Sequence, residues 1–467
     1  MNRLRVTCPG QAPGRNNRKM GVAAGLLLAA APIVLGLSSP AVAKAKSKTA
    51  EQAAPAAAQK RPLGTSIADF YASRSDYPLW LAPAAGSAAQ DLLTLLHSAR
   101  FDGLDPNNYG IDAINQALAS AKKGDRKDIL RADRLLSQAF IAYVADVRRD
   151  PGVGIIYVEP QLRPAPPQSR LLLEDVARAK SPSAYLKSFA WMNPLYVELR
   201  QALVDKAYDN EEQRALIALN RDRARVLPAG KQRYILVNAA EQKLFTFEDG
   251  KKVDQMRVVV GKPKYPTPMM VALVRFAALN PYWYVPPDLA GERIAPNAVK
   301  QGLPYLEKLG YEVMSDWTEE ASIVDPKTVD WKAVAAGKKE IFIRQQPGPH
   351  NSMGRMKFMF PNEAGIYLHD NPERELFTEA SRLYSGGCVR LEDASRLGQW
   401  LFGRELQWEG AATEEQVPLE RPVPLYITYL TAMPDGDGKI AYFDDVYSRD
   451  KDRLATLLLS QDNLAGR

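Results

Sequence analysis

The chain has few of the residues that bind metals or cross-link secreted proteins. Its 467 residues include 2 cysteines and 3 histidines. The cysteines, Cys8 and Cys388, are far apart and form no Cys-x-x-Cys pair, and the histidines do not recur at zinc-site spacing. These absences exclude a disulfide framework, a dithiol redox site and a histidine-rich metal centre. We therefore expect neither a metal nor a cofactor.

Acidic residues are missing from the first 43 residues, which have the pattern of a targeting segment. An apolar run over residues 20–37 precedes Ala41-Val42-Ala43, a small-residue cleavage site. The basic residues ahead of this run are Arg3, Arg5, Arg15, Arg18 and Lys19. We predict a signal peptide over 1–43. Because the apolar run is near the length that spans a bilayer, an uncleaved membrane anchor is the alternative.

Cleavage of this segment changes two conclusions. The formal charge of +7 falls close to neutral, because residues 1–43 contribute only basic side chains. The basic balance then gives no support for nucleic-acid binding, and we expect no nucleic acid as partner. Cleavage also removes Cys8. Chemistry alone leaves the remaining Cys388 either a buried apolar residue or a nucleophile.

Composition divides the rest of the chain into a tether, a helical part and a strand-rich part. Residues 44–60, rich in Ala, Lys and Gln, predict a flexible linker. Helical spacing of apolar residues predicts a helical domain over 61–210, and a charged helix over 211–227 follows. The clearest helices of the domain are predicted at 91–99, 130–148 and 183–202. His97 lies in the first of them and is interpreted as structural.

After Pro228 the pattern predicts a mainly β domain over 228–450, since β-branched and aromatic runs alternate with turn residues. Its strands are predicted at 233–237, 243–247, 256–260, 270–279, 341–344, 357–360 and 425–430. An insertion at about 285–340 loses the strand signal and predicts short helices at 306–309 and 331–336. Insertions this long are typical of lids or binding elements. Residues 451–467 form a C-terminal tail, and the fold class is α+β.

One stretch carries the chemistry, Ser385-Gly386-Gly387-Cys388, together with an upstream histidine. The run 365–368 predicts a short strand that ends at His369. The imidazole of His369 can accept the thiol proton of Cys388 and so form the thiolate, which is the reactive species. The two glycines allow backbone N–H groups to point at a developing oxyanion. The sequence therefore predicts a Cys–His pair facing each other across the polar connection 370–385.

His369 and the run Ser385-Gly386-Gly387-Cys388-Val389-Arg390 resemble the signature of the L,D-transpeptidases, peptidoglycan cross-linking enzymes with a YkuD-type catalytic domain. The likeness extends to residues 77–80, 103–106, 234–238, 260–263, 280–283, 347–349, 357–362 and 445–447. It implies the large periplasmic branch of that family. Such a protein has a helical scaffold domain ahead of a YkuD-like β-sandwich with a mixed lid insertion, and is exported to the periplasm.

The resemblance also implies a reaction. Cys388 attacks the carbonyl of the third residue of a tetrapeptide stem, D-Ala leaves, and an amine of a second stem resolves the thioester into a 3-3 cross-link. His369 moves the protons, and a backbone carbonyl just after it, at Asp370, orients its ring. The Asp370 carboxylate is the second choice for that role. The N–H groups of Gly387 and Cys388 are expected to form the oxyanion hole.

Other residues receive supporting roles. Ser385 and Arg390 shape the loop or hold a substrate carboxylate, and a structural ion pair is the alternative for Arg390. Many family members have a histidine two residues before the cysteine. Here that position is Gly386, so His369 is the only base of the motif. The residues expected to line the substrate groove, or else to pack or face solvent, are Tyr367, Tyr384, His350 and Asn351.

Three alternatives remain open at the level of sequence. Water in place of the second amine would make the protein a peptidoglycan hydrolase or carboxypeptidase. The acceptor in a transfer reaction is either another stem or an outer-membrane protein. A non-catalytic scaffold that binds the cell wall is the rival from another class, and the intact Cys–His motif argues against it.

Overall fold

A computed structural model describes residues 66–318, 320–408 and 414–465 of the chain. The predicted signal segment and the predicted linker, residues 1–60, lie outside the described residues, so their assignments stay predictions. Within the described ranges, no helix is long and apolar enough to cross a membrane.

Helices dominate the first part of the described chain. The described helices are α1 (Ile67–Ser73), α2 (Ala88–His97), α3 (Ile111–Ala121), α4 (Arg126–Val147), α5 (Ser169–Arg178), α6 (Pro182–Ser188), α7 (Pro194–Val204), α8 (Glu211–Ala224), α9 (Pro287–Leu289), α10 (Ala295–Gln301), α11 (Pro304–Lys308), α12 (Trp331–Ala335), α13 (Ala394–Phe402) and α14 (Lys451–Ala465). The helix predicted at 183–202 is two helices, α6 and α7. The chain breaks where Phe189 takes a positive φ of 49° and Asn193 caps a new helix.

A buried carboxylate holds the start of this helical domain together. Asp133 on α4 is 0% exposed and accepts hydrogen bonds from the backbone N–H groups of Leu79, Trp80 and Leu81 at 2.7–2.8 Å. The hydroxyl of Tyr71 also donates to Asp133 at 2.5 Å. Burial raises the pKa of Asp133, and the hydrogen bonds oppose that shift. A buried charge is tolerated here because it is fully hydrogen-bonded.

Strands dominate the second part. The described strands are β1 (Ile156–Tyr157), β2 (Tyr234–Asn238), β3 (Lys243–Glu248), β4 (Lys251–Gly261), β5 (Met270–Leu279), β6 (Trp283–Val285), β7 (Tyr311–Met314), β8 (Ile323–Val324), β9 (Phe342–Gln345), β10 (Met356–Met359), β11 (Leu368–His369), β12 (Leu383–Ser385), β13 (Val389–Leu391), β14 (Glu415–Thr428), β15 (Ala432–Pro434) and β16 (Ile440–Tyr442). The predicted α+β class is confirmed.

Within the described residues, a 10-stranded sheet closes on itself. Its path runs from β5 through β10, β11, β13, β4, β3 and β2 to β14, and β14 pairs again with β5. The long strand β14 pairs with β2 along one edge and with β5 along the other, and its register against β5 shifts between Pro418 and Val423. Closure leaves few open strand edges and encloses an apolar core of fully buried side chains, among them Ile235, Val258 and Leu368.

The helical and strand-rich parts are joined by more than chain connectivity. Strand β1, inside the region predicted to be helical, pairs in parallel with β5, with Ile156 opposite Met270. Arg223 on α8 forms a buried ion pair with Asp450 at 2.7 Å, just before α14. The predicted C-terminal tail is thus largely the helix α14.

The insertion has its own sheet and core. Strands β6, β9, β7 and β8 form a 4-stranded sheet in that order, and helices α9–α12 pack around it. The predicted helices at 306–309 and 331–336 correspond to α11 and α12. Strands β7 and β8 were not expected, because runs of four and two residues are too short to show a period.

Candidate active site

Two neighbouring parallel strands bring His369 and Cys388 to the same place. Strand β11 pairs in parallel with β13, with Leu368 opposite Val389. The Val389 N–H donates to the Tyr367 carbonyl at 3.1 Å. Extending this register sets Cys388 beside Tyr367, so that Cys388 and His369 are diagonal neighbours on one face of the sheet. Both residues line one groove of about 550 Å³.

The ring of His369 is held in one orientation. The side chain is 2% exposed, and its Nδ1 lies 2.6 Å from the carbonyl oxygen of Asp370. A carbonyl can only accept, so Nδ1 carries the proton and Nε2 is the basic nitrogen. This geometry matches the role that the resemblance implied for the Asp370 backbone.

Burial lowers the pKa of His369 to about 3, and the positive charge of Arg390 adds to this effect. Lys357 acts in the same direction, whereas the hydrogen bond to Asp370 raises the pKa. The imidazole is therefore neutral near pH 7. A neutral imidazole with a free electron pair on Nε2 can accept a proton as the thiol attacks.

The carboxylate of Asp370 is engaged elsewhere. It accepts from the backbone N–H of Arg355 at 2.9 Å and from the guanidinium of Arg374 at 2.7 Å. Gly354 leaves room for it, since a Cβ at that glycine would lie 2.3 Å from Asp370 Oδ2. The carboxylate therefore fixes the loop that precedes β10 and does not orient the His369 ring.

We expect Asp370→Ala to lower stability more than reactivity. The change leaves the partly buried N–H of Arg355 without its acceptor, which costs about 1 kcal/mol. Guanidinium unfolding of the variant checks the stability, and the rate of Cys388 alkylation by iodoacetamide checks the site. A large loss of alkylation rate at unchanged stability would contradict the structural role.

Ser385 closes the loop of residues 385–388, which is called the catalytic loop below. Its hydroxyl donates to the carbonyl of Cys388 at 2.5 Å and accepts the N–H of Gly387 at 3.1 Å. Gly387 has φ of 117°, a conformation that favours glycine. The Ser385 hydroxyl is thus used within the loop, and so is the Gly387 N–H that the sequence nominated for the oxyanion hole.

Gly386 faces the insertion. A Cβ at this position would lie 3.2 Å from Cδ1 of Leu289 on α9. The histidine that many family members carry here would require the Leu289 side chain to shift. The departure from the family pattern is therefore matched by the packing of the insertion.

Arg390 is held by an ion pair. It is 8% exposed, and its guanidinium donates to Glu373 at 2.8 Å and approaches Asn371 at 3.4 Å. Its charge also acts on His369, as described above. Of the two roles considered for Arg390, this structure contains the ion pair.

The remaining predicted contacts divide into two groups. Tyr367 and Tyr384 line the groove, and Tyr384 is 48% exposed. Asn351 is 1% exposed, and its amide donates to the carbonyls of Pro281 and Gln346 at 2.9–3.0 Å. Neither His350 nor Asn351 lines the groove. Asn351 holds the loop that carries both residues, and their substrate contacts stay a prediction.

Two family models match the chain. Residues 232–404 match the model described as the L,D-transpeptidase catalytic domain, YkuD, and residues 65–203 match the Scaffold domain. The chain belongs to the L,D-transpeptidase family. The predicted family and its N-terminal scaffold domain are thereby confirmed.

A curated relative and solved structures are similar to this chain. A Haemophilus influenzae protein named "Putative L,D-transpeptidase" is 28% identical over 84% of this chain and 79% of its own length. A solved L,D-transpeptidase from Mycobacterium smegmatis matches 43% of this chain and 63% of its own, with 14% identity and a TM-score of 0.20. L,D-transpeptidase 3 from Mycobacterium tuberculosis, solved with a faropenem-derived adduct, matches 44% of this chain and 65% of its own. The identity is 13% and the TM-score is 0.20. The match spans less than two thirds of either solved chain.

Sequence reasoning missed residues that lie around the catalytic loop. Leu289 reaches Gly386 from the insertion, and Thr267 lies beneath the loop. A sequence signal for Thr267 existed. The run Gly-Lys-Pro-Lys-Tyr-Pro-Thr-Pro after β4 is so dense in glycine and proline that it indicates an ordered loop. A Cβ at Gly261 would lie 2.0 Å from the Tyr265 carbonyl, which shows how tightly that loop folds.

The low pKa of His369 predicts a pH-dependent stability. Between about 3 and the ordinary value of 6.5, the unfolded chain binds more protons than the folded one. The contribution of the neutral ring is present above pH 6.5 and is lost as the pH falls toward 3. We expect the free energy of unfolding to fall about 3 kcal/mol more in the wild type than in His369→Asn between pH 7 and pH 4. Equal losses in guanidinium titrations of both proteins would contradict this.

Proposed function

We propose that this protein is a peptidoglycan L,D-transpeptidase that forms 3-3 cross-links through a thioester on Cys388. The observation that carries the proposal is the pairing of β11 with β13. It brings a partly buried thiol and a neutral, oriented imidazole onto one groove. Nucleophile and base within one groove are the minimum for covalent acyl transfer.

Acylation is the first half of the proposed reaction. Nε2 of His369 accepts the thiol proton while the sulfur of Cys388 attacks the carbonyl carbon of the third stem residue. The tetrahedral intermediate carries an oxyanion, which a backbone N–H of the catalytic loop stabilises. The intermediate collapses as the C–N bond breaks, and His369 returns the proton to the departing amine of D-Ala. The product is a thioester with neutral His369 restored.

Transfer is the second half. The side-chain amine of a diaminopimelate in another stem attacks the thioester carbonyl, and His369 accepts a proton from that amine. The C–S bond then breaks, a new amide bond forms, and the sulfur recovers its proton. The thiol and the imidazole return to their starting states, so no cofactor is consumed.

The groove suits peptides that carry carboxylates. Cationic side chains line it from two directions, Lys262 and Lys264 after β4 and Arg293 from the insertion. Lys264 and the Tyr265 hydroxyl both donate to Glu292 at 2.6 Å, so the loop after β4 contacts the insertion beside the groove. Stem peptides of peptidoglycan present free carboxylates near the reacting carbonyl, which matches this charge.

The setting of the reaction belongs to the same proposal. Export through the N-terminal signal would deliver the enzyme to the periplasm, where stem peptides are accessible, and an uncleaved signal would tether it to the membrane. The donor is a tetrapeptide stem. The acceptor is another stem, and an outer-membrane protein amine is the alternative acceptor.

Muropeptide mass spectrometry tests the proposal. Purified protein is incubated with tetrapeptide muropeptides, and the products are compared with those of Cys388→Ala. We expect dimers whose mass equals two monomers less one alanine. Shortened monomers without dimers would reject transfer and favour hydrolysis, in which water resolves the thioester. Unchanged muropeptides would reject both enzymatic readings.

A further inference from the structure

Thr267 lies beneath the catalytic loop and is bonded to it. Its side chain is 0% exposed, and its hydroxyl donates to the carbonyl of Gly387 at 2.8 Å. The same hydroxyl accepts the backbone N–H of Gly261 at 2.9 Å. One buried hydroxyl therefore joins the end of β4 to the residue just before the nucleophile.

This bond fixes the direction of the peptide that links Gly387 to Cys388. The peptide is trans and planar, so its C=O and its N–H point in opposite directions. Its carbonyl is directed at Thr267, which is outside the groove lining, whereas Gly387 and Cys388 line the groove. The N–H of Cys388 is thereby directed to the side of the loop on which a substrate carbonyl would lie.

The other N–H nominated for the oxyanion hole has a different task. Gly387 donates its N–H to Ser385 within the loop. A change in the direction of the Cys388 N–H therefore affects oxyanion stabilisation more than it would if Gly387 also donated to the oxyanion. A carbonyl that rotated away from Thr267 would rotate this N–H with it.

Thr267 is itself supported from behind. Its carbonyl accepts from the guanidinium of Arg449 at 2.8 Å, and the carbonyl of Gly261 accepts from the Tyr447 hydroxyl at 2.6 Å. These contacts hold the loop after β4 without touching Gly387. The hydrogen bond from the Thr267 hydroxyl to Gly387 connects this supported loop to the catalytic loop.

We propose that Thr267 is a positioning residue that aims the Cys388 N–H at the oxyanion formed during acylation. The inference rests on the proposed function, since it assumes a carbonyl substrate. It predicts that loss of the hydroxyl impairs reactions that build an oxyanion and spares reactions of the same thiol that do not. Electrostatic stabilisation depends on donors held in place before the reaction.

The test compares two reactions of Cys388 in the full chain. Acylation by a carbapenem passes through an oxyanion and is followed as the mass added to the intact protein. Alkylation by iodoacetamide is a direct displacement without an oxyanion and is followed in the same way. Thr267→Val removes the hydroxyl at nearly constant volume, and Thr267→Ser keeps it. Tyr447→Phe is the matched control, because it breaks a bond to the same loop away from Gly387.

We expect Thr267→Val to slow acylation about 10- to 100-fold, somewhat less than the complete removal of an oxyanion donor. Alkylation by the same variant is expected to stay near the wild-type rate, and Thr267→Ser and Tyr447→Phe to behave as wild type in both reactions. Should the valine variant not fold, Thr267→Ala removes the same hydroxyl without adding a methyl group beside two backbone polar groups. The same split between acylation and alkylation is expected for it.

Two results would overturn the inference. Equal slowing of acylation and alkylation would show that Thr267 supports the nucleophile alone, and no slowing of acylation would show that the bond is dispensable. Failure of the proposed function gives a different result, because the wild type itself would then form no muropeptide dimers, whether or not it gained carbapenem mass. The two failures are therefore distinguishable.

Discussion

Replacement of Cys388 by alanine is expected to abolish cross-linking, with a loss of about 10⁴- to 10⁶-fold that leaves no detectable dimers. The reason is that the sulfur forms the covalent bond of the thioester, and no other described cysteine can substitute for it. The fold should survive, since Cys388 is a small, partly buried side chain at the edge of a core made mainly of larger residues. Mass spectrometry of muropeptide dimers measures the loss.

Cys388→Ser is the matched control for this experiment. A hydroxyl keeps the shape of the side chain but is a far weaker nucleophile at neutral pH. We expect the serine variant to fold as the wild type does and to form no dimers. If Cys388→Ala retained cross-linking, the thioester on Cys388 would be refuted. If it left every cellular phenotype intact while the wild type gained no carbapenem mass, the non-catalytic wall-binding reading would replace the enzymatic one.

Replacement of His369 by asparagine is expected to slow acylation by about 10²- to 10⁴-fold at neutral pH. The asparagine amide can reproduce the donor at Nδ1 and keep the hydrogen bond to the Asp370 carbonyl, which spans 2.6 Å in this structure. What it lacks is the basic Nε2. The variant therefore separates orientation of the ring from proton transfer.

The pH dependence of this variant provides the decisive measurement. With no base beside it, the thiol must lose its proton to solvent, so the acylation rate of the variant should rise steeply at alkaline pH, where thiols ionise unaided. The wild type should depend less on pH near neutrality, because the pKa of His369 is lowered to about 3 and the base is already neutral. His369→Gln serves as the control for the loss of the ring itself. Identical pH profiles of wild type and His369→Asn would contradict the role of His369 as base.

The two domains show where sequence patterns succeed. Strand β5 has the predicted bounds 270–279, since a long β-branched and apolar run specifies a central strand without help from its neighbours. The helix α4 is likewise evident from its spacing of buried residues. Short elements were missed or misread. Strands β7 and β8 were not expected, and the helix predicted at 183–202 is broken at Phe189.

The candidate site shows the same division. The residue types and their order nominated Cys388 and His369, and their roles stay a prediction until the variants are measured. The nominations of His350 and Asn351 rested on a rigid loop, and the structure places neither residue in the groove. Arg390 had two open roles, and its ion pair with Glu373 depends on a loop whose path is not a local property.

The sequence by itself determined the family, the α+β class and the types of group at the candidate site, a thiol, an imidazole and a glycine pair, because these depend on residue types at short spacing. The tertiary structure alone decided which groups surround them. The neutral state of His369 follows from its burial, and the hydrogen bond from Thr267 to the Gly387 carbonyl joins residues 120 positions apart in the chain. Such contacts form when distant strands pair and exclude water, and local periodicity carries no record of that pairing.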